Sequence, residues 1–144
     1  MQEVPVNYWA ILVCGIASLV LGFIYYGPLF GKLYSRLMGW ENMDPARSAE
    51  MKKGMNKRYA MALLGSLLMA FVLAHSLVFA ESYMKVSGVA AGLQAAVWSW
   101  LGFIVPVTLG NVLWGGQSWK LWFLGNGYQL IQLLIFGIIL GTWK

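Results

Sequence analysis

The stretch Phe23-Ile24-Tyr25-Tyr26-Gly27-Pro28-Leu29-Phe30-Gly31-Lys32 lies where a long apolar segment ends and charged residues begin. Tyrosine rings are typical of the membrane–water interface, so Tyr25 and Tyr26 indicate the headgroup level. Pro28 lacks an amide hydrogen and disfavours helical geometry at Gly27, so we expect the preceding helix to end or bend there. Tyr25, Tyr26, Gly27, Pro28 and Lys32 are therefore predicted to form an interfacial joint, which we expect to organise the rest of the chain.

The overall composition indicates a membrane protein. Of 144 residues, 60% are hydrophobic and 10% are charged, whereas soluble domains have roughly 45–50% apolar and about 25% charged residues. The net charge of +5 is concentrated in one connector between apolar segments, which is a membrane pattern and argues against nucleic-acid binding. A length of 144 residues favours a single domain.

Four apolar runs are long enough to cross a bilayer, whose hydrocarbon core of about 30 Å requires roughly 20 helical residues. They cover about residues 6–26, 59–80, 89–114 and 121–143, and none contains Asp, Glu, Lys or Arg. The first run follows Glu3 rather than basic residues and precedes no small-residue cleavage site, so we expect it to be retained. The sequence predicts an all-α integral membrane four-helix bundle over residues 1–144, with a connector over 27–58.

The distribution of basic residues predicts the orientation of these spans. The connector holds seven, and Lys120 lies on the same side in a four-span topology, against Lys85 and Lys144 on the other. This excess places the connector in the cytoplasm and both termini outside, and it disfavours dual topology. We expect the chain to lie in a bacterial inner membrane. The seven connector residues are Lys32, Arg36, Arg47, Lys52, Lys53, Lys57 and Arg58.

A short amphipathic helix is predicted directly after the joint. Its apolar residues recur at helical spacing with basic and polar residues between them, so we expect it to lie in the cytoplasmic interface. Packing against the protein's own helices is the alternative. Gly39 is placed to end this helix as a C-terminal cap. The apolar face comprises Phe30, Leu33, Tyr34, Leu37 and Met38.

The second half of the connector contains a helix start signal and a basic run. Asp44 followed by Pro45 predicts a capped helix whose pattern continues into the second span, although Gly54 weakens that continuity. The basic run serves either as a topology anchor or as a binding site for anionic lipid headgroups. Its residues are Lys52, Lys53, Lys57 and Arg58.

Small residues at helical spacing occur in every span, and in lipid such residues let helix backbones approach one another. We expect these seams to pack against neighbouring helices of the same chain or of a second copy. They are Gly15, Ser18 and Gly22; Ala62, Ser66, Ala70 and Ala74; Gly88, Gly92, Ala96, Ser99, Gly102 and Gly110; and Gly137 and Gly141.

Uncharged polar residues are predicted to meet at one depth in the cytoplasmic third of the membrane. Pro106 should kink the third span close by, and the fourth span carries Asn126, Gln129 and Gln132 at intervals of three. The cluster is either an interhelical hydrogen-bond network or the lining of a cytoplasm-facing cavity. Its six predicted members are Ser18, Ser66, Thr108, Asn111, Asn126 and Gln129.

The sequence offers no catalytic constellation. His75 is the titratable residue inside a span, but it lies near the outer boundary, where water is within reach, and six residues from Glu81. Cys14 is predicted at comparable depth, yet no residue is evident to orient a thiol–imidazole pair. One His and one Cys cannot complete a tetrahedral metal site. We therefore predict no catalytic residue, no metal and no cofactor.

Several motifs resemble those of the bacterial family named domain of unknown function 1761. They are Leu21 to Lys32, Trp100-Leu101-Gly102-Phe103, Leu109-Gly110-Asn111-Val112-Leu113-Trp114 and Asn126-Gly127-Tyr128-Gln129-Leu130. The resemblance covers nearly the whole chain. It implies a small four-span membrane protein with a turn after the first span, and it implies no particular activity.

Two functional interpretations remain, and a third, an enzyme acting on lipid or a thiol substrate, is disfavoured because no acid, base and nucleophile cluster is evident. The first is an oligomeric transport or channel component for an uncharged or anionic small solute, because four helices can hardly enclose a pathway alone and the first, third and fourth spans carry no carboxylate. The second is a non-catalytic membrane module that binds lipid or a partner membrane protein. The expected partners are the bilayer, anionic lipid headgroups and further copies of the chain.

Overall fold

The computed structural model describes residues 5–143, and within them all regular structure is helical. Two of the helices are continued by a wider π turn, in which backbone hydrogen bonds join residues five apart. The elements are α1 (Tyr8–Ile24) with π turn Tyr25–Leu29, α2 (Gly31–Leu37), α3 (Pro45–Lys52), α4 (Met55–Met84), α5 (Gly88–Ser99) with π turn Trp100–Ile104, α6 (Val105–Leu113) and α7 (Trp119–Thr142).

The all-α prediction is confirmed, and four continuous helical segments are long and apolar enough to cross a membrane. They cover Tyr8–Leu29, Met55–Met84, Gly88–Leu113 and Trp119–Thr142. Local capping shifts these boundaries from the predicted ones. The side chain of Asn7 accepts hydrogen bonds from the amides of Trp9 and Ala10, at 3.0 and 3.3 Å, and therefore starts α1 two residues late.

The first span ends at Leu29, one residue after Pro28, as predicted, but its helical turns do not stop before the proline. The helix instead widens into the π turn, where the amide of Phe30 donates to the carbonyl of Tyr25 at 2.9 Å. The same device accompanies Pro106, which follows the π turn at Trp100–Ile104 and lies in the first turn of α6. Because a proline lacks an N–H and its ring collides with the carbonyl four residues earlier, a wider turn keeps the helix continuous.

The predicted connector helices are present. Gly39 ends α2 with φ of +71°, and the amides of Gly39 and Trp40 donate to Arg36 and Ser35 at 3.1 and 2.8 Å, which is the Schellman pattern. Pro45 starts α3, but the carboxylate of Asp44 makes no capping hydrogen bond, contrary to expectation. Gly54, with φ of +78°, separates α3 from α4, which begins four residues before the predicted span.

Glycines set the closest helix contact, between α5 and α7. A Cβ atom added at Gly92 would overlap the backbone carbonyl of Gly137, and one added at Gly141 would lie 2.5 Å from the carbonyl oxygen of Gly88. The predicted seams of the third and fourth spans thus face each other within one chain. Gly15 fills a comparable role in α1, where an added Cβ would lie 2.6 Å from a Leu67 methyl group on α4.

Helix α7 is the hub of the bundle, since it packs against α1, α4, α5 and α6. Phe136 on α7 is completely buried in a core formed with apolar residues of α1, α4 and α5. The third span lies at the periphery, because only 6% of the residues in its most apolar 18-residue stretch are buried. Helix α5 packs against α7 and α4, and its opposite, outward face is therefore uncovered.

We predict that Gly92→Ala destabilises the chain by about 1–3 kcal/mol, because the added methyl group must push α5 away from α7. Gly110→Ala is the matched control, since a Cβ at Gly110 meets no atom within 4 Å. Reversible unfolding of the purified protein in mixed micelles, followed by tryptophan fluorescence, measures both variants. Equal stability of the two would contradict the proposed tight seam.

Candidate functional site

A serine cluster joins α1, α4 and α7 inside the bundle. Ser18 Oγ and Ser66 Oγ lie 2.6 Å apart, and Gln132 Nε2 donates to both oxygens at 3.0 Å. All three residues are buried, with Gln132 only 3% exposed. Tyr128 adds a further link, because its hydroxyl donates to the carbonyl of Ser18 at 3.2 Å.

The protons of the serine cluster do not all find partners within it. Two N–H groups of Gln132 and two hydroxyls supply four protons, of which the three contacts above use three. Of the Gln132 amide, Nε2 is the atom with hydrogen-bond partners among the described residues. The cluster thus retains one hydroxyl proton beyond its internal bonds.

A threonine cluster joins the third span to α7 nearer the connector. Thr108 Oγ1 lies 2.7 Å from the carbonyl of Ile104, its hydroxyl acceptor, and receives N–H groups from Trp122 Nε1 at 3.2 Å and Asn126 Nδ2 at 3.1 Å. Asn126 Nδ2 also donates to the carbonyl of Trp122 at 3.0 Å. In addition, Trp100 Nε1 donates to the backbone carbonyl of Asn126 at 2.9 Å.

A cavity of about 800 Å³, here called the central cleft, opens between α1, α4 and α7. The serine cluster forms part of its wall, and every side chain that lines it is uncharged. The rim residues Phe23, Tyr59 and Gly65 are exposed on the outer face of α1 and α4. The remaining lining residues are Ser18, Leu19, Gly22, Tyr26, Gly27, Ala62, Ser66, Met69, Tyr128, Gln129 and Gln132.

A second cavity of about 200 Å³, the connector cavity, lies beside the short loop between α6 and α7. Asn111 and Gln117 are at its outer side, where the backbone amide of Gln117 donates to the backbone carbonyl of Asn111 at 3.0 Å. Tyr26 and Gln129 line both cavities and so lie between them. The other lining residues are Thr108, Trp122, Gly125 and Asn126.

Gln129 carries the one buried side-chain N or O atom in the described chain that is without a hydrogen-bond partner, its Oε1. Leaving a buried acceptor unpaired costs about 1–3 kcal/mol. Because Oε1 is fully buried, the rest of the Gln129 side chain lines the two cavities. The Tyr26 ring lines the same two cavities as Gln129. It packs within an aromatic group, 5.1 Å from the Tyr128 ring and 4.8 Å from the Tyr34 ring.

The six predicted cluster residues are therefore divided by the structure. Ser18 and Ser66 bond to each other and to Gln132, whereas Thr108 and Asn126 form the second cluster. Gln129 lies between the cavities, and Asn111 is exposed at the outer side of the connector cavity. Sequence reasoning assigned no role to Trp100, Trp122 or Gln132. The sequence signal that could have identified Gln132 was its spacing of three residues from Gln129 on the same helix.

The predicted titratable residue His75 lies apart from both cavities. Its Nδ1 is 2.8 Å from the carbonyl of Phe71, and its ring packs against the Phe71 ring at 4.2 Å. Glu81 accepts the amide of Gly88 at 3.0 Å and so ties the end of α4 to the start of α5. Within residues 5–143, no three His, Cys, Asp or Glu side chains converge as metal ligands.

The family model described as "Protein of unknown function (DUF1761)" matches residues 9–141. The chain belongs to this family. The match covers nearly the whole of the four membrane-spanning segments and both hydrogen-bonded clusters, and it confirms the resemblance drawn from the sequence motifs. Searches of curated proteins and of solved structures gave no match.

We predict that Ser66→Ala destabilises the protein by about 1 kcal/mol, because it removes hydrogen bonds that link α4 to α1 and α7. Ser76→Ala should change stability by less than about 0.5 kcal/mol, since the Ser76 hydroxyl donates only to Val72 in its own helix. Unfolding in mixed micelles compares the two identical substitutions. Equal losses would show that the serine cluster does not hold the helices together.

Proposed function

We propose that this chain is the subunit of an oligomeric membrane transport component that admits an uncharged, hydrogen-bonding solute to the central cleft. The observation that carries the proposal is a cavity of about 800 Å³ that is lined by uncharged side chains and has the hydrogen-bonding residues Ser18, Ser66 and Gln132 in its wall. This combination of a mainly apolar cavity with a few polar groups is typical of small-molecule sites.

The lining favours an uncharged solute over an anion. A charged solute in this cleft would lose its hydration without meeting a side chain of opposite charge, which is energetically costly. Of the two solute classes that the sequence left open, the uncharged class therefore fits the cleft better.

A second candidate function, lipid binding by a non-catalytic membrane module, is favoured by the position of the rim. Phe23 is 77% exposed and Tyr59 is 57% exposed, so the cleft faces the region that lipid chains would occupy in a bilayer. The two functions differ in their consequences. A solute pathway accelerates solute entry into vesicles, whereas a lipid site retains lipid without changing that rate.

We predict that the purified chain in liposomes accelerates the entry of urea, glycerol or acetamide, measured by light scattering after an osmotic step. Gly65→Leu should return the rate to that of protein-free liposomes, because its side chain projects into the cleft and a Cβ there meets no atom within 4 Å. Gly110→Leu is the control, since Gly110 is equally uncrowded. Absence of acceleration by the wild type would overturn the transport proposal.

The outward face of α5 is our proposed contact between copies of the chain. Gln94 is exposed there, about 9 Å along the helix from its start at Gly88, and its amide has no described partner. Hydrocarbon cannot satisfy an amide. A second copy in the same orientation places another Gln94 at the same depth, and each amide offers both a donor and an acceptor.

We predict that Gln94→Leu weakens self-association about tenfold, the equivalent of an interhelical amide contact worth 1–2 kcal/mol. Energy transfer between labelled copies in liposomes, measured over a range of protein-to-lipid ratios, gives the association constant. Thr142→Val, another exposed polar-to-apolar change, should leave it unchanged. Equal association of Gln94→Leu and wild type would exclude this face as the contact.

The connector is our proposed cytoplasmic and lipid-contacting region. Its basic run is fully on the surface, with Lys52, Lys53, Lys57 and Arg58 all exposed, so the side chains are available to anionic headgroups, at about 1 kcal/mol each near the surface. The same charge asymmetry supports an orientation with both termini outside a bacterial inner membrane. In that orientation the connector cavity opens toward the cytoplasm.

A further inference from the structure

We propose that the central cleft seats one acyl chain of an anionic lipid, whose headgroup is held by Arg58 at the connector end. In this position the acyl chain would compete with a solute for the cleft. The lipid site extends the second candidate function and does not depend on transport, whereas the competition rests on the proposed transport function.

The length of the central cleft matches one leaflet of a bilayer. Its lining residues on α4 run from Tyr59 to Met69, ten residues apart, or about 15 Å of helix. The hydrocarbon core is about 30 Å thick, so a single leaflet provides about 15 Å. On α1 the lining runs from Gly27, at the interfacial joint, to Ser18. The cleft therefore has the length of one acyl chain that enters from the connector side.

The cleft is open toward the region that lipid would occupy. Its rim residues Phe23, Tyr59, Ala62 and Gly65 are all exposed, and Leu19 adds apolar wall beside them. An unfilled groove forfeits the dispersion contacts of its lining atoms, and a chain that enters it restores them. In a bilayer the molecules next to this rim are lipids, so an acyl chain is the occupant that the groove favours.

Arg58 lies on the cleft face of α4, at the connector end. It precedes the lining residues Ala62, Gly65 and Met69 by four, seven and eleven positions, which is the spacing of one helix face. Residues four apart on a helix have Cβ atoms roughly 5–6 Å from each other. Because helical side chains tilt toward the helix N-terminus, Arg58 extends from the mouth of the cleft toward the connector, where headgroups would lie.

The guanidinium of Arg58 has donors available for a phosphate. Its Nη1 donates to the backbone carbonyl of Met51 in α3 at 3.4 Å, which uses one of the five N–H groups of a guanidinium. Among the described residues Arg58 forms no ion pair, since the salt bridge found there joins Arg36 to Glu41. An anionic headgroup therefore complements the Arg58 charge and can accept charge-assisted hydrogen bonds from it.

Lys57 provides a matched control within the same basic run. Its own helix face continues through Met61, Leu64 and Leu68, which are exposed and lie outside the cleft lining. Both cations are at nearly the same depth, but of the two it is Arg58 that lies on the cleft face. A diffuse attraction to anionic lipid predicts equal effects of removing either charge, whereas a defined site predicts unequal effects.

Titration of the purified chain in micelles with phosphatidylglycerol, followed by native mass spectrometry, tests the lipid site. We expect one phosphatidylglycerol to bind about tenfold more tightly than phosphatidylcholine, and Arg58→Gln to remove that preference. Lys57→Gln should retain most of it. Gly65→Leu, which fills the cleft and meets no atom within 4 Å, should weaken the binding of both lipids, with Gly110→Leu as its control.

Four results would overturn the lipid site. Equal losses in Arg58→Gln and Lys57→Gln would reduce the preference to surface charge, and unchanged binding in Gly65→Leu would place the lipid outside the cleft. Glycerol phosphate carries the headgroup phosphate without acyl chains, so displacement of the lipid by it would indicate a site for free phosphate. Weaker self-association of Gly65→Leu, with lipid binding intact, would assign the cleft to a second copy of the chain.

The liposome assay tests the competition. Phosphatidylglycerol added to phosphatidylcholine liposomes should slow solute entry through the wild type and Lys57→Gln, and Arg58→Gln should lose this slowing. An unchanged wild-type rate, with lipid binding intact, would overturn the competition. If the wild type accelerates solute entry in neither lipid, the transport function and the competition both fail, while the binding titration alone decides the lipid site.

Discussion

Hydrocarbon offers no hydrogen-bond partner, and the arrangement of these helices depends on that constraint. Helix α7 supplies most of the polar side chains that hydrogen-bond to the other helices. Gln132 holds α1 and α4 through the two serines, while Trp122 and Asn126 hold the third span through Thr108. Each such bond contributes only about 0.6 kcal/mol on average. Their main effect is to fix the rotation of each helix, and so to decide which residues face the central cleft.

The two prolines inside the spans have related consequences. Pro28 lies within a π turn and Pro106 follows one, and the extra residue of each turn rotates the side chains on either side. At the first π turn this places Tyr25 against α7 and Tyr26 between the two cavities. At the second, it brings Trp100 to the carbonyl of Asn126. The π turns therefore carry the aromatic residues that join the site to the bundle.

The four spans could be predicted because length and apolar composition determine them, whatever the neighbouring helices do. Spacing alone predicted the small-residue seams that contain Gly92 and Gly137, but not that these two seams meet within one chain. The residues that form the wall of the site could not be predicted in this way. The depth of a residue can be counted along the chain, whereas the rotation of its helix is set by packing. Gln132 lies farther along α7 than the predicted level, yet it reaches both serines. Asn111 has the predicted depth but points to the outer side. The continuation of the helix through Pro28 also required knowledge of the π turn.

Gln129 makes the bundle less stable than an apolar residue at the same position would. Most other polar atoms on this part of α7 are paired, and a leucine at this position would avoid the cost of about 1–3 kcal/mol that an unpaired buried acceptor brings. The neighbouring Asn126 shows that this helix can satisfy an amide when the amide serves packing. Gln129 instead keeps its oxygen buried without a partner, while the rest of its side chain lines the two cavities.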